Sequence, residues 1–252
     1  MRDESFYLSR PLNIAHRGAR DVAPENTLAA FQAALEASAD GIELDVTRCA
    51  TGEIIVLHDD TVDRTTDGSG PASALPFAAL RELDAGGWFD ARYAGERIPT
   101  LAEALDAMGG RLRINIEIKG RAWRSDGIEA EIAALVRARG LAQTVIISSF
   151  NPWALARMKR VAPELACALL YANLTAHLDL GPTKARHLLH AEAVHPHLRL
   201  VTPRYIARTQ RHGLRVNVWT VNEEAEMQRL IALGVDGLIT DHPALLRRVL
   251  GY

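Results

Sequence analysis

Cysteine is scarce in this chain, with only Cys49 and Cys167 among 252 residues. Neither sits in a CxxC or any other metal-ligand spacing. That excludes a disulfide-dense secreted scaffold and predicts two buried free thiols in a reducing compartment. No stretch approaches the ~18 consecutive apolar residues that a membrane-spanning helix requires. Residues 1–13 mix acidic and polar side chains. They lack the apolar segment of a secretory signal, so a cytoplasmic location is expected. One-sided charge is missing too: 29 basic residues face 31 acidic ones, for a net charge of −2. Without a basic excess or stripe, no nucleic-acid partner is expected.

What the chain does have is core-forming material. Hydrophobic residues make up 48% and charged residues 24%, a soluble globular balance that can bury a large core unaided. A length of 252 residues fits between one and two average domains, or one α/β barrel of about 250 residues. Short apolar runs alternate with segments of helical periodicity. The runs are residues 12–15, 41–47, 54–58, 114–119, 144–149, 166–171, 193–195, 215–219 and 237–240. Strands alternating with helices indicate βα units and a parallel sheet. About eight such units fit, the count of a closed (β/α)8 TIM barrel. A doubly wound open sheet is the alternative, but it calls for a glycine-rich phosphate loop, and GAR at 18–20 is no GxGxxG. The stretches ADGIELD (39–45) and VDGLITD (235–241) echo each other in spacing, which supports a repeated unit. Residues Asp59–Pro99 form an excursion too long for an ordinary loop, and such insertions are usually functional.

Side chains alternate along a barrel strand between the surrounding helices and the interior. In GIELDVT, Ile42, Leu44 and Val46 share one face, and Glu43, Asp45 and Thr47 the other. In INIEIKG, Ile114, Ile116 and Ile118 oppose Asn115, Glu117 and Lys119, and in RVNVWT the polar or aromatic face holds Asn217 and Trp219. Like charges on an inward face need a cation, or one must keep its proton. Glu43, Asp45 and Glu117 could bind one hard divalent cation through oxygen. The competing explanation is a metal-free network neutralised by Lys119 and an arginine. His16 ends the first run, and His58 ends the third with Asp59 beside it to orient the ring. Two imidazoles near such a site suit proton transfer in both directions. Arg17 and Lys119 add positive charge for a phosphoryl group, unless Arg17 is a surface ion pair and Lys119 only balances Glu117. For six further histidines (177, 187, 190, 195, 197 and 212), surface positions are expected. Only His195 is placed to reach the mouth.

The stretches HRG (16–18), PENT (24–27), GIELDV (41–46), HDDTVDRTTDGSG (58–70), IEIK (116–119), SSF (148–150), WTVN (219–222) and DGLITD (236–241) together resemble the glycerophosphodiester phosphodiesterase family. The resemblance spans nearly the whole chain. It implies one (β/α)8 barrel domain over residues 1–252, with the insertion at about 59–99. It makes His16 and His58 the acid/base pair and Glu43, Asp45 and Glu117 the ligands of a divalent cation; oxygen-only ligands admit Mg²⁺, Ca²⁺ or Mn²⁺, and the expected cytoplasmic location favours Mg²⁺. Arg17 and Lys119 become phosphate contacts, Trp219 and Phe150 walls of the pocket, with packing in the mouth as the other role for Phe150. Glu25 and Asn26 hold the loop after the first strand, and Asn26 is also placed as a helix N-cap. The implied reaction is hydrolysis of a small glycerophosphodiester to sn-glycerol 3-phosphate and an alcohol. A lysophospholipase D acting on single-chain lipids is the alternative enzyme, and a binding barrel without turnover the alternative class. Oligomeric state stays open.

Overall fold

The computed structural model describes residues 6–120, 123–172 and 182–252. Eight strands run parallel: β1 (Leu12–His16), β2 (Gly41–Arg48), β4 (Arg113–Ile118), β5 (Val145–Ser149), β6 (Ala166–Tyr171), β7 (Ala193–Pro196), β8 (Arg215–Val218) and β9 (Gly237–Thr240). Each pairs with the next in sequence, and β9 pairs back onto β1, which also pairs with β2. The sheet therefore closes into a TIM barrel, and the open-sheet alternative falls. Helices α1 (Leu28–Glu36), α3 (Leu101–Met108), α4 (Ile128–Ala138), α5 (Pro152–Val161), α6 (Pro182–Leu189), α7 (Pro203–Arg211), α8 (Glu224–Ala232) and α9 (Pro243–Leu250) follow the strands.

The third apolar run is not a barrel strand. Residues Ile54–Val56 (β3) pair antiparallel with β2, Val46 opposite Val56, so this run belongs to the insertion rather than to a βα unit. Ile55 and Leu57 join Cys49, Val62, Leu80 and Ile98 in a small separate core, to which the short helix α2 (Phe77–Glu82) contributes Leu80. The excursion thus includes the β2–β3 hairpin as well as residues 59–99. Tyr93 ties it to the barrel by donating from Oη to the Val22 carbonyl at 2.7 Å. Both cysteines are buried and free.

Period-two alternation produces two further layers of packing. Ile42, Leu44 and Val46 pack outward against helices, together with Ile114 and Ile116. Inside the barrel, Leu12, Ile14, Ile146, Ala168, Ala193 and Ile239 close the lower part, with Phe6 beneath them. The acidic and basic side chains occupy the upper part, at the strands' C-terminal ends.

The internal echo has a physical basis. Asp40 donates its backbone N–H to the Asn13 carbonyl and accepts the Asn13 N–H on Oδ2, both at 2.8 Å. Asp236 makes the same two bonds to Val216, also at 2.8 Å. Glu192 repeats the clasp on Cys167, at 2.9 and 2.8 Å. Each acid precedes a strand and fastens it to its neighbour at the bottom of the barrel. Directly after the first clasp comes Gly41, where a Cβ would lie 2.7 Å from the Arg113 carbonyl oxygen. Gly41→Ala is therefore expected to destabilise the fold by about 1–3 kcal/mol through overpacking. A urea midpoint that does not fall in this variant would refute that close approach.

Candidate active site

The turn after β1 is built to bring main chain and charge over the barrel mouth. Arg17 adopts φ +57° and Gly18 φ +86°. The left-handed geometry is costly for Arg17. At Gly18, any Cβ would meet Ala30 at 2.6 Å. The turn directs the Arg17 N–H to Glu43 Oε2 at 3.1 Å. Asn26 is also left-handed, at φ +58°, and this overturns its expected role as a cap. Thr27 caps α1 instead, accepting from the Ala30 N–H at 3.2 Å. The Asn26 amide is spent on the site, donating to Asp45 Oδ2 at 2.9 Å.

Glu43, Asp45 and Glu117 lie on neighbouring strands in register, Asp45 beside Glu117. Each offers an oxygen within 4.8 Å of the other two, and all three residues are buried. Lys119 Nζ reaches Asp45 Oδ1 at 3.3 Å and Glu117 Oε1 at 3.0 Å. Arg17 Nε lies 3.4 Å from Asp45 Oδ2. The metal-free neutralising network of the sequence reading is therefore present in part, but unevenly. Burial opposes ionisation of Asp45, yet Lys119, Arg17 and His58 hold its carboxyl below the usual range. Burial, then Asp45 and Glu117, push the Glu43 carboxyl well above its ordinary value. Burial and Asp45 push Glu117 up to about 7. Two carboxyls that burial and repulsion keep from ionising beside an ionised third suit one hard cation that would relieve that repulsion, so the donor set fits a divalent metal.

Both histidines are held from behind. His58 Nδ1 lies 2.6 Å from Asp59 Oδ1, the neighbour that the sequence placed there. His16 Nδ1 lies 2.7 Å from Asp241 Oδ1, a partner that sequence reasoning missed. Asn222 steadies Asp241 from Nδ2 to Oδ2 at 2.8 Å. Burial opposes ionisation of Asp241, but the His16 hydrogen bond and Arg20 pull its carboxyl down to about 2. Burial lowers the His58 imidazole below its ordinary value. With each Nδ1 engaged, each Nε2 is left for exchange with a ligand.

Of the nine residues expected as acid/base pair, metal ligands, phosphate contacts or pocket walls, eight line one cleft of about 380 Å³. The ninth, Asp45, is buried, 1% exposed. Asn115, placed on the inward face by the strand alternation, and Leu170 and Ile239, missed in the sequence, complete the lining. Phe150 stays about half exposed, at 47%, and meets Trp219 edge to face at 5.4 Å. It is a rim residue, so packing within the mouth is not its place. Trp219 is fixed by its indole N–H, which donates to the His195 carbonyl at 2.7 Å. His195 itself does not reach the cleft lining. It lies wholly buried inside the barrel, bonded to Asn217 at 2.9 Å, and burial drives its pKa down to about 3. The expectation that it reaches the mouth is thus corrected. His197, part-exposed, meets Trp219 edge to face at 5.2 Å. His177 lies outside the described residues.

The model of the glycerophosphoryl diester phosphodiesterase family matches residues 16–245. A glycerophosphodiester phosphodiesterase of Caldanaerobacter subterraneus subsp. tengcongensis is 39% identical, over 94% of this chain and 96% of that one. One from Bacillus subtilis is 33% identical over 95% and 86%. Among solved structures, an Oleispira antarctica phosphodiesterase in complex with the product sn-glycerol-3-phosphate is 30% identical, with a TM-score of 0.84 covering 95% of this chain and 96% of that one. A glycerophosphodiester phosphodiesterase of Agrobacterium tumefaciens superposes with a TM-score of 0.83 at 32% identity, over 96% and 100%. With the barrel, the cleft and these likenesses in agreement, the chain belongs to the glycerophosphoryl diester phosphodiesterase family, a family of hydrolytic enzymes.

Proposed function

We propose that this chain hydrolyses small glycerophosphodiesters to sn-glycerol 3-phosphate and an alcohol, as one barrel domain acting in the cytoplasm. The observation that carries the reading is the pair of aspartate-backed imidazoles, His16 and His58, lining one cleft with Glu43 and Glu117. Glu43, Asp45 and Glu117 would hold a divalent cation, their oxygen-only donors admitting Mg²⁺, Ca²⁺ or Mn²⁺ and a cytoplasmic setting putting Mg²⁺ first, and it would supply Lewis-acid polarisation of the phosphate.

Arg17 and Lys119 orient the phosphodiester oxygens, both being raised in pKa by facing carboxylates against the opposing effect of burial, so both stay charged. One histidine removes the proton of the glycerol 2-hydroxyl as that oxygen bonds to phosphorus. The other histidine donates its proton to the departing alcohol oxygen. Water then opens the cyclic phosphate, with the two histidines exchanging roles. Trp219 and Phe150 wall the cleft. The test is a coupled assay for released glycerol 3-phosphate across diesters of choline, ethanolamine, glycerol and inositol, with phosphorus NMR to detect a 1,2-cyclic phosphate. Release of no glycerol 3-phosphate from any of them would refute the reading.

A second reading, lysophospholipase D, is favoured by a feature invisible in the insertion alone. Trp123 and Trp153 stand 69% and 57% exposed, and they follow β4 and β5 on the mouth side of the barrel. Such exposed aromatics suit an acyl chain. A separate assay for choline released from lysophosphatidylcholine, whose other product is lysophosphatidic acid, distinguishes the two.

A further inference from the structure

Glu25 is almost sealed from solvent, its side chain 2% exposed, yet it meets three guanidinium groups. Arg17 Nη1 lies 2.8 Å from Oε1 and Arg20 Nη2 3.1 Å from Oε2. Arg64, which comes from the insertion, clamps both oxygens: Nη2 to Oε1 at 2.7 Å and Nη1 to Oε2 at 3.0 Å. Burial opposes ionisation of Glu25, but these arginines, Arg64 foremost, draw its carboxyl down to about 2.

Two of the three arginines continue to the aspartates behind the imidazoles. Arg64 donates from Nε to Asp59 Oδ2 at 2.6 Å and from Nη2 to Oδ1 at 3.2 Å. Asp59 Oδ1 in turn holds His58 Nδ1. On the other side, Arg20 Nε lies 3.8 Å from Asp241 Oδ1, an ion pair rather than a hydrogen bond. Asp241 Oδ1 holds His16 Nδ1. Two chains of contact therefore begin at one carboxylate and end on two rings that belong to different parts of the fold.

We propose that Glu25 is a positioning residue for both histidines, setting His16 through Arg20 and Asp241 and His58 through Arg64 and Asp59. The proposal rests on the reading that these histidines exchange protons with the substrate. The physical requirement is plain: one proton leaves on one side of the phosphorus while another arrives on the opposite side. Both imidazoles must then be right at the same moment, and misplacement of either is felt in the rate. Asp59 and His58 are sequence neighbours on a half-open loop, 30% and 33% exposed, so their contact with each other does not by itself fix the pair relative to the barrel. A two-pronged guanidinium anchored on a buried carboxylate does fix them. Without the Glu25 charge, three cations face one another, and both arms relax together. The insertion, which already supplies His58 and Asp59, thereby contributes a further residue to the reaction, Arg64.

The test is a set of double-mutant cycles read as kcat and KM for diester hydrolysis. Arg64→Lys keeps the charge and loses the fork, so it is expected to lower kcat about 10–100-fold with KM little changed. That loss should vanish when Arg64→Lys is made in His58→Ala and persist in His16→Ala. Arg20→Lys should show the mirror pattern, and Glu25→Gln should lose part of its effect in each background. Full additivity in the matching background, or wild-type kcat in Glu25→Gln and Arg64→Lys, overturns the proposal. Should Glu25→Gln fail to fold, the two lysine variants carry the test, since Arg20 and Arg64 are 29% and 43% exposed. Undiminished turnover in both single histidine variants would instead overturn the acid/base reading beneath it, a result distinct from the additive one.

Discussion

Replacing either His16 or His58 with alanine is expected to lower kcat by about 10²–10⁴, the usual contribution of a positioned general acid or base. The two losses should be similar in size, because each ring has the same equipment: an Nδ1 fixed on a carboxylate, at 2.7 Å for His16 and 2.6 Å for His58. KM should move little if each ring acts on protons in flight and not on the resting substrate. Removing the carboxylate behind a ring should reproduce part of the loss. Asp241→Asn lets the ring turn and removes the negative charge that supports the imidazolium, while leaving the imidazole present. A histidine-to-alanine variant with near-wild-type kcat would take that residue out of the mechanism. Measured at saturating diester, the two variants address the acid/base pair separately.

Removing divalent cations is expected to cost about 10³-fold or more in turnover, several kcal/mol of charge stabilisation, with recovery on add-back. The buried acids make a further demand with a definite sign. Burial and mutual repulsion hold protons on Glu43 and Glu117, the latter with a pKa of about 7. A carboxyl must lose its proton to bind a cation, so binding displaces protons wherever the free site still holds them. Cation affinity should accordingly rise with pH up to and somewhat above pH 7, and fall as the medium becomes more acidic. Asp45, held ionised by Lys119 and Arg17, adds little to that dependence. Calorimetric titration of Mg²⁺ in buffers of different ionisation heat counts the protons released. Affinity that is flat in pH, with no proton release, would mean that Glu43 and Glu117 are not the ligands. Glu43→Gln should weaken binding, and unchanged activation by metal in that variant leads to the same conclusion.

Much of the site was legible because a strand's alternation is written in consecutive residues. Glu43 and Asp45 face inward for the same local reason that Ile42 and Leu44 face out, and no long-range knowledge is needed. His58 and Asp59 are likewise adjacent in the chain. What stayed hidden depends on closure or on turn geometry. Asp241 is 225 residues from His16 and becomes its partner only because β9 pairs with β1. Arg64 lies in a stretch with neither helical nor strand period, so its grip on Glu25 and Asp59 had no signature beyond its presence in the HDDTVDRTT stretch. Asn26 looked like a helix cap by residue type, but its left-handed backbone passed that role to Thr27. The run at 54–58 has the composition of a buried strand, and composition cannot tell a parallel neighbour from an antiparallel one.

The pairing of His16 with Asp241 joins the first barrel strand to the residue that follows the last. A nascent chain that has emerged only as far as β8 already contains the three clustered carboxylates, both imidazoles, Arg17, Lys119 and Arg64. It still lacks the group that orients one of the two rings. Diester cleavage by this protein is therefore a reporter of ring completion, and a truncated or unfinished product that binds cation should remain a poor catalyst.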